Sequence, residues 1–206
     1  MSTAEKLEYH SVETYLNAED LSSTRSEYIN GLICAMSGAT NRHNTVAVNA
    51  QGIFWSQLKG QSCRPFNSDT KIRVRQGEAT SFYYPDASVV CESNRQTETF
   101  QDKPVVVIEV LSPSTRAIDL DEKLTAYLSI ESVQAYILFE QDKPLAIVMR
   151  RTPIGFLREV YDGIASTIKL PTIGCSLSLE EMYSGVVFPP ASVQEPEATY
   201  EQSESK

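Results

Sequence analysis

Val105-Val-Val-Ile-Glu-Val-Leu111 decides the reading of this chain. Together with Pro104 it is short, β-branched and almost wholly apolar, the pattern of a central strand covered on both faces. Glu109 breaks that pattern. An ionised carboxylate left unpaired in a low-dielectric interior is costly, so such a residue needs a cation, a hydrogen-bond network or a solvated cleft. Downstream, Ser112-Pro-Ser-Thr115 leads to a predicted helix from Asp119 to about Ile130. Asp119 is its expected N-cap, with Glu122 three residues later and Leu120, Leu124, Tyr127 and Leu128 on one stripe. Ala135–Phe139 reads as a second buried strand, and Ala146–Arg150 with Gly155–Tyr161 as hairpin material.

Upstream, Phe82–Val90 reads as a strand beginning near Pro85-Asp86. In Ser68–Arg75, alternation puts Lys71, Arg73 and Arg75 on one face and Ile72 and Val74 on the other. Thr40 or Asn41 can cap a helix to about Leu58, with Val46, Ala50, Ile53 and Phe54 at helical spacing and His43 in its first turn. Asn30-Gly31 between apolar residues is a strong hairpin signal. Trp55 and Phe82-Tyr83-Tyr84 read as packing residues. The order of elements gives α/β or α+β, a mixed sheet flanked by helices. A single domain is expected over residues 1–190, residues 1–20 forming a helical lead, with an acidic tail rich in Glu, Ser and Pro at 191–206.

The 206 residues are 41% hydrophobic and 22% charged, which excludes disorder as the main state and a small disulfide scaffold. No apolar run approaches the roughly 20 residues of a membrane span, and Met1-Ser-Thr-Ala-Glu-Lys6 leads into no apolar segment. Cys34, Cys63, Cys91 and Cys175 form no C-x-x-C pair, so reduced thiols and a cytoplasmic location are expected. The net charge of −9 disfavours a polyanionic partner. Most of that charge lies at the ends, however: five acids face one lysine in residues 1–20, and four face one in 191–206. A near-neutral body can still bind a polyanion through a local patch or a metal.

Asp86 and Glu109, on what read as neighbouring strands, have the composition of a Mg²⁺ site, which uses one or two carboxylates plus phosphate oxygens. They equally suit a turn aspartate and a glutamate paired with arginine. Lys123 follows on a helix that can fold back over the same strand end, where a cation could orient water or offset charge on phosphate. It also suits an exposed pair with Asp119, one turn away, worth a few tenths of a kcal/mol. Because Lys123 flanks the apolar stripe without belonging to it, its truncation is expected to leave the fold intact.

Read together, Glu27-Tyr-Ile-Asn-Gly31, His43, Ser68-Asp69, Pro85-Asp86-Ala-Ser-Val-Val90, Val107-Ile-Glu109-Val-Leu-Ser-Pro-Ser-Thr115 and Glu122-Lys123-Leu-x-x-Tyr127 resemble the Uma-two family. These are bacterial predicted endonucleases of the PD-(D/E)xK, restriction-endonuclease-like superfamily, and the resemblance covers roughly residues 12–185. It implies a restriction-endonuclease-like core, a mixed β-sheet flanked by helices, with Asp86 and Glu109 as catalytic, metal-binding acids and Glu27 as a further acid at the metal. The superfamily lysine would stand where this chain has Leu111; in this family it has moved to the following helix, at Lys123. His43 is implied as a substrate or water contact. Asp69, Lys71, Arg73 and Tyr127 are weaker substrate-binding candidates. Two departures, Ser132-Val-Gln-Ala-Tyr136 and Glu140, fall in and beside a structural strand.

The expected function is therefore Mg²⁺- or Mn²⁺-dependent hydrolysis of DNA phosphodiester bonds. A homodimer is expected by analogy with the superfamily, and no membrane partner. A catalytically silent interaction protein that keeps the fold, or a nuclease for RNA or branched DNA, are the rival readings.

Overall fold

Local chemistry sets the two long helical boundaries. Ser11 Oγ accepts the Thr14 amide at 3.1 Å and starts α1 (Val12–Leu21). Thr40 Oγ1 accepts the His43 amide at 3.2 Å and starts α2 (Asn41–Leu58). These features belong to a computed structural model that describes residues 8–36 and 38–190. The expected acidic tail and the first seven residues of the expected lead lie outside the described residues.

The strands form two principal sheets. The smaller contains β1 (Ser26–Ile29), β2 (Leu32–Ala35), β4 (Lys71–Gln76), β5 (Ala79–Tyr83) and β7 (Phe100–Gln101), in the order β2-β1-β5-β4-β7. Asn30, at φ 45°, and Gly31, at φ 100°, make the β1–β2 hairpin turn. The larger sheet contains β3 (Arg64–Asn67), β6 (Ala87–Val90), β8 (Pro104–Leu111), β9 (Ala135–Glu140), β10 (Leu145–Thr152) and β11 (Gly155–Asp162), in the order β11-β10-β9-β8-β6-β3. In this sheet β8 and β9 are parallel and the other pairs antiparallel. A separate hairpin of β12 (Thr167–Leu170) and β13 (Cys175–Ser178) precedes α5 (Leu179–Met182). The expected mixed sheet with flanking helices is present.

The central strand β8 is covered on both faces, as its apolar run requires. Val106, Ile108 and Val110 pack under Val46, Ala50, Phe54 and Leu58 of α2, with the β12–β13 hairpin completing that side. Val107 and Leu111 point the other way, against Tyr127, Tyr136 and the small sheet's Ile72, Val74 and Tyr83. Glu109 shares the parity of this second face. Trp55 departs from expectation. One residue on from buried Phe54, it lies on the outer side of α2 and is 62% exposed.

Two local readings are corrected. The segment Phe82–Val90 is two strands in different sheets. Phe82-Tyr83 ends β5, and the chain crosses at Tyr84-Pro85-Asp86 before β6 starts. Proline has no N–H to extend a ladder at that crossing. The helix expected from Asp119 is likewise two pieces, α3 (Arg116–Leu120) and α4 (Glu122–Leu128), broken at Asp121 with φ −128° and ψ −76°. Asp119 lies inside α3 instead of capping a helix. Arg116 fixes the start of α3 through two contacts to Glu140, at 2.8 and 2.7 Å. Arg151 satisfies the carbonyls after α4, donating to Ile130 at 2.8 Å and Val133 at 2.6 Å. No helix among the described residues is long and apolar enough to cross a membrane.

The cysteine expectation also changes, because Cys63 and Cys91 form a disulfide while Cys34 and Cys175 are free. The reason is tertiary. Arg64 faces Val90 across the β3–β6 ladder, so the residues just beyond them meet. Thiol titration of denatured, unreduced protein should therefore find two thiols; four would restore the reduced reading. Replacing Cys63 by Ala should cost about 3 kcal/mol, the usual effect of opening such a cross-link, measurable by denaturant unfolding without reductant.

Candidate active site

Asp86 sits at the seam where the chain passes from the small sheet to the large one. Ala87 pairs with Ile108, so Asp86 falls opposite Glu109 as the ladder runs out. Side chains complete the ladder there. Asp86 Oδ2 accepts the Val110 amide at 2.7 Å, and Glu109 Oε2 accepts the Asp86 amide at 3.3 Å. The two acids thus clasp each other's strands and share one side of the sheet.

Glu109 is 4% exposed, on the β8 face roofed by α4. Its Oε1 accepts from Lys123 Nζ at 3.2 Å and from the Tyr127 hydroxyl at 3.3 Å. Lys123 Nζ lies 2.9 Å from Glu27 Oε1 and 3.6 Å from Asp119 Oδ1, so three carboxylates from β1, β8 and α3 surround one ammonium. Glu27 Oε1 also accepts the Tyr84 amide at 3.1 Å. His43 Nε2 stands 3.2 Å from Asp86 Oδ2, and among the described residues its buried Nδ1 has no hydrogen-bond partner.

Asp86, Glu109, Asp119, Lys123 and His43 line one cleft of about 440 Å³, whose wall also carries Arg25, Ser112 and Thr115. Glu27 contacts the lysine but is not part of the cleft wall. The electrostatics follow from burial and crowding. Burial pushes the Glu109 carboxyl well above its ordinary range; Asp119, Asp86 and Glu27 add to that and Lys123 opposes it. Burial likewise raises Asp119. For Lys123, burial works against the charge, but Glu109, Glu27 and Asp119 outweigh it and hold the ammonium charged more firmly than usual. Burial lowers His43 too, yet its contact with Asp86 wins and leaves it raised.

The remaining substrate candidates lie elsewhere. Lys71 is buried beneath the Tyr15 and Tyr84 rings, 5.7 and 5.5 Å from their centres. Arg73 is clamped to Asp102 at 2.7 and 2.8 Å. Asp69 pairs with Arg25 at 3.1 Å. Tyr127 is fully buried and acts on Glu109 from inside the core. Reading Lys123 as half of an exposed pair is also corrected, since it is 5% exposed. Two cleft residues escaped the sequence reading. Asp119 looked like a cap, although its four-residue spacing from Lys123 was a usable signal. Arg25 carried no signal before the fold placed it.

The cluster holds Glu27, Asp86, Glu109 and Asp119 against Lys123 and His43, an excess of hard anionic oxygen. Asp119 Oδ1 is buried without a hydrogen-bond partner among the described residues. No three acid, histidine or cysteine side chains among those residues form a ready-made metal cage. Mg²⁺ does not require one, because it binds through one or two carboxylates and keeps waters or phosphate oxygens. Asp86 and Glu109 fit that donor set.

Two stability outcomes follow. Lys123→Met should cost about 3–5 kcal/mol in denaturant unfolding, because it strands buried carboxylates without their cation; a loss under 1 kcal/mol would mean that the ammonium does not hold these elements together. Glu109 holds its proton more tightly folded than unfolded, so its stabilising contribution is full below the ordinary value of 4.5 and is lost as pH rises through the raised folded value. Metal-free Glu109→Gln should accordingly melt above wild type at neutral pH, with the gap closing in acid. An unchanged gap across that range would remove Glu109 as the titrating group.

The chain matches the Uma2 family, described as "Putative restriction endonuclease", over residues 12–180. An uncharacterized protein of Synechocystis sp. is 30% identical over 179 residues, 86% of this chain and 93% of its own length. A second from the same organism is 30% identical over 130 residues, 62% of this chain and 72% of its own. The crystal structure of a protein from Anabaena variabilis, titled a "putative nuclease belonging to DUF820", superposes with a TM-score of 0.68 at 22% identity. That match covers 85% of this chain and 98% of the other. With the family matched across most of its length and the fold shared with that structure, this chain belongs to the Uma2 family and has a restriction-endonuclease-like fold.

Proposed function

We propose that the protein is a metal-dependent nuclease that hydrolyses phosphodiester bonds in DNA. The observation carrying this reading is the convergence of Asp86 from the β5–β6 crossing, Glu109 from β8 and Lys123 from α4 on one cleft. Membership of a family described as "Putative restriction endonuclease" supports the same reaction class. Asp86 and Glu109 would hold Mg²⁺ or Mn²⁺, which at such a site acidifies water and offsets charge on a phosphoryl group.

The chain's own residues divide the remaining work. Lys123 presents a fixed positive charge beside the acids, directed at negative charge that develops on the attacked phosphate. It is preorganised, because Glu27, Glu109 and Asp119 already hold it. Glu27 therefore serves the lysine in this reading and is not a ligand of the metal. His43 fixes the orientation of Asp86, and Tyr127 that of Glu109. Burial around Glu109 keeps bulk water away and strengthens each of these interactions.

The test is cleavage of supercoiled, linear and single-stranded DNA, and of RNA, with Mg²⁺ or Mn²⁺. Wild type should cleave DNA. Asp86→Asn, Glu109→Gln and the charge-conserving Lys123→Arg should fold and lose about 10²–10³ in rate. Cleavage of RNA alone would transfer the site to the other nucleic acid. No cleavage of any substrate, or full activity in Glu109→Gln, would leave an interaction protein that keeps the fold.

A further inference from the structure

We infer that Arg25 grips a phosphate flanking the scissile one at the mouth of the cleft. This assignment rests on the nuclease reading and deepens it by naming the residue that holds the substrate backbone. The need arises from charge. Asp86, Glu109 and Asp119 all face the cleft and repel a polyanion, while Lys123 is buried and committed to carboxylates. Arg25 is the other lysine or arginine in the described cleft wall, and its side chain is 45% exposed.

Its anchoring leaves the useful edge open. Among the described residues Nη1 makes all its hydrogen bonds and its ion pair: the Ser68 carbonyl, the Ser68 hydroxyl at 3.3 Å and Asp69 Oδ1 at 3.1 Å. Among the described residues, Nε and Nη2 have no hydrogen-bond acceptor. That pair forms the flat two-pronged edge that matches two phosphate oxygens. Elsewhere the same edge is closed: Arg73 spends it on Asp102 and Arg150 on Glu159. The guanidinium carbon of Arg25 lies 6.0 Å from the ring centre of Tyr84, another cleft residue, which limits its swing. Arg25 also sits two residues before Glu27, so the start of β1 sets the phosphate grip in register with the lysine it flanks. Asp69 is then a positioning residue for Arg25, which explains an acid beside a polyanion site.

The test measures binding of short fluorescein-labelled single-stranded and duplex DNA by anisotropy across a KCl series in EDTA, with cleavage kinetics in Mg²⁺ run in parallel. Arg25→Ala should weaken binding roughly tenfold on any sequence and reduce the slope of log K against log salt by about one. It should raise KM while kcat and the melting temperature stay near wild type. Arg25→Lys should restore the salt slope but only part of the affinity, because the charge returns without the fork. If wild type binds and cleaves while Arg25→Ala keeps its affinity, slope and KM, the assignment is wrong and the nuclease reading stands. If Arg25→Ala instead loses stability along with binding, Arg25 is a structural tether and the assignment is equally wrong. If wild type neither binds nor cleaves, both readings fall.

Discussion

One ammonium group organises this protein. Lys123 Nζ meets carboxylates from β1, β8 and α3 at 2.9, 3.2 and 3.6 Å, and among the described residues it is the lysine or arginine that pairs with them. Buried like charges repel strongly where the dielectric is low, so the small sheet, the central strand and the broken helix can close together only around that cation. The constraint reaches outward through ordinary contacts. Tyr127 packs beneath Glu109, Tyr136 donates to the Asp119 carbonyl at 3.0 Å, and Arg151 ties down the chain just after α4. A cluster of this kind contributes little net stability compared with an apolar core. It specifies which elements meet and in what register.

The cleft lies where the chain passes from the small sheet to the large one, and that seam is what makes it usable. Inside a continuous ladder, Asp86 and Glu109 would be spaced by regular backbone pairing and covered on both sides. At the crossing after Tyr84 the pairing stops, and each carboxylate bonds the other's backbone while keeping an edge toward the cleft. On the helical side the chain breaks at Asp121, and Asp119 of α3 and Lys123 of α4 meet across that break at 3.6 Å, one turn apart. Interruptions of regular structure therefore supply the chemistry, while the regular parts supply the rigidity.

Overall charge says little about such a site. The chain is acidic, and several of its arginines are paired: Arg73 with Asp102, Arg116 with Glu140, Arg150 with Glu159. A duplex held along a basic stripe is not what this surface suits. A backbone engaged at a few phosphates, with attraction concentrated in the cleft, is compatible with an acidic protein.

The sequence by itself determined the elements whose signals are local. Thr40 capping, the Asn30-Gly31 turn, the doubly covered strand at Val105–Leu111 and the anomaly of Glu109 within it all depend on near neighbours, and short-range sterics and patterning express them directly. The motifs carrying the family resemblance were legible for the same reason. Only the tertiary structure decided the rest, because each remaining feature depends on what lies opposite. Asp119 became a buried partner of Lys123 because the cavity's demand for a matched charge outweighed its capping tendency. Cys63 met Cys91 through strand pairing, not spacing. Lys71 and Arg73 turned from candidate phosphate contacts into core supports once Tyr15, Tyr84 and Asp102 closed over them. A strand pattern tells which residues share a face; what covers that face is a property of the folded chain.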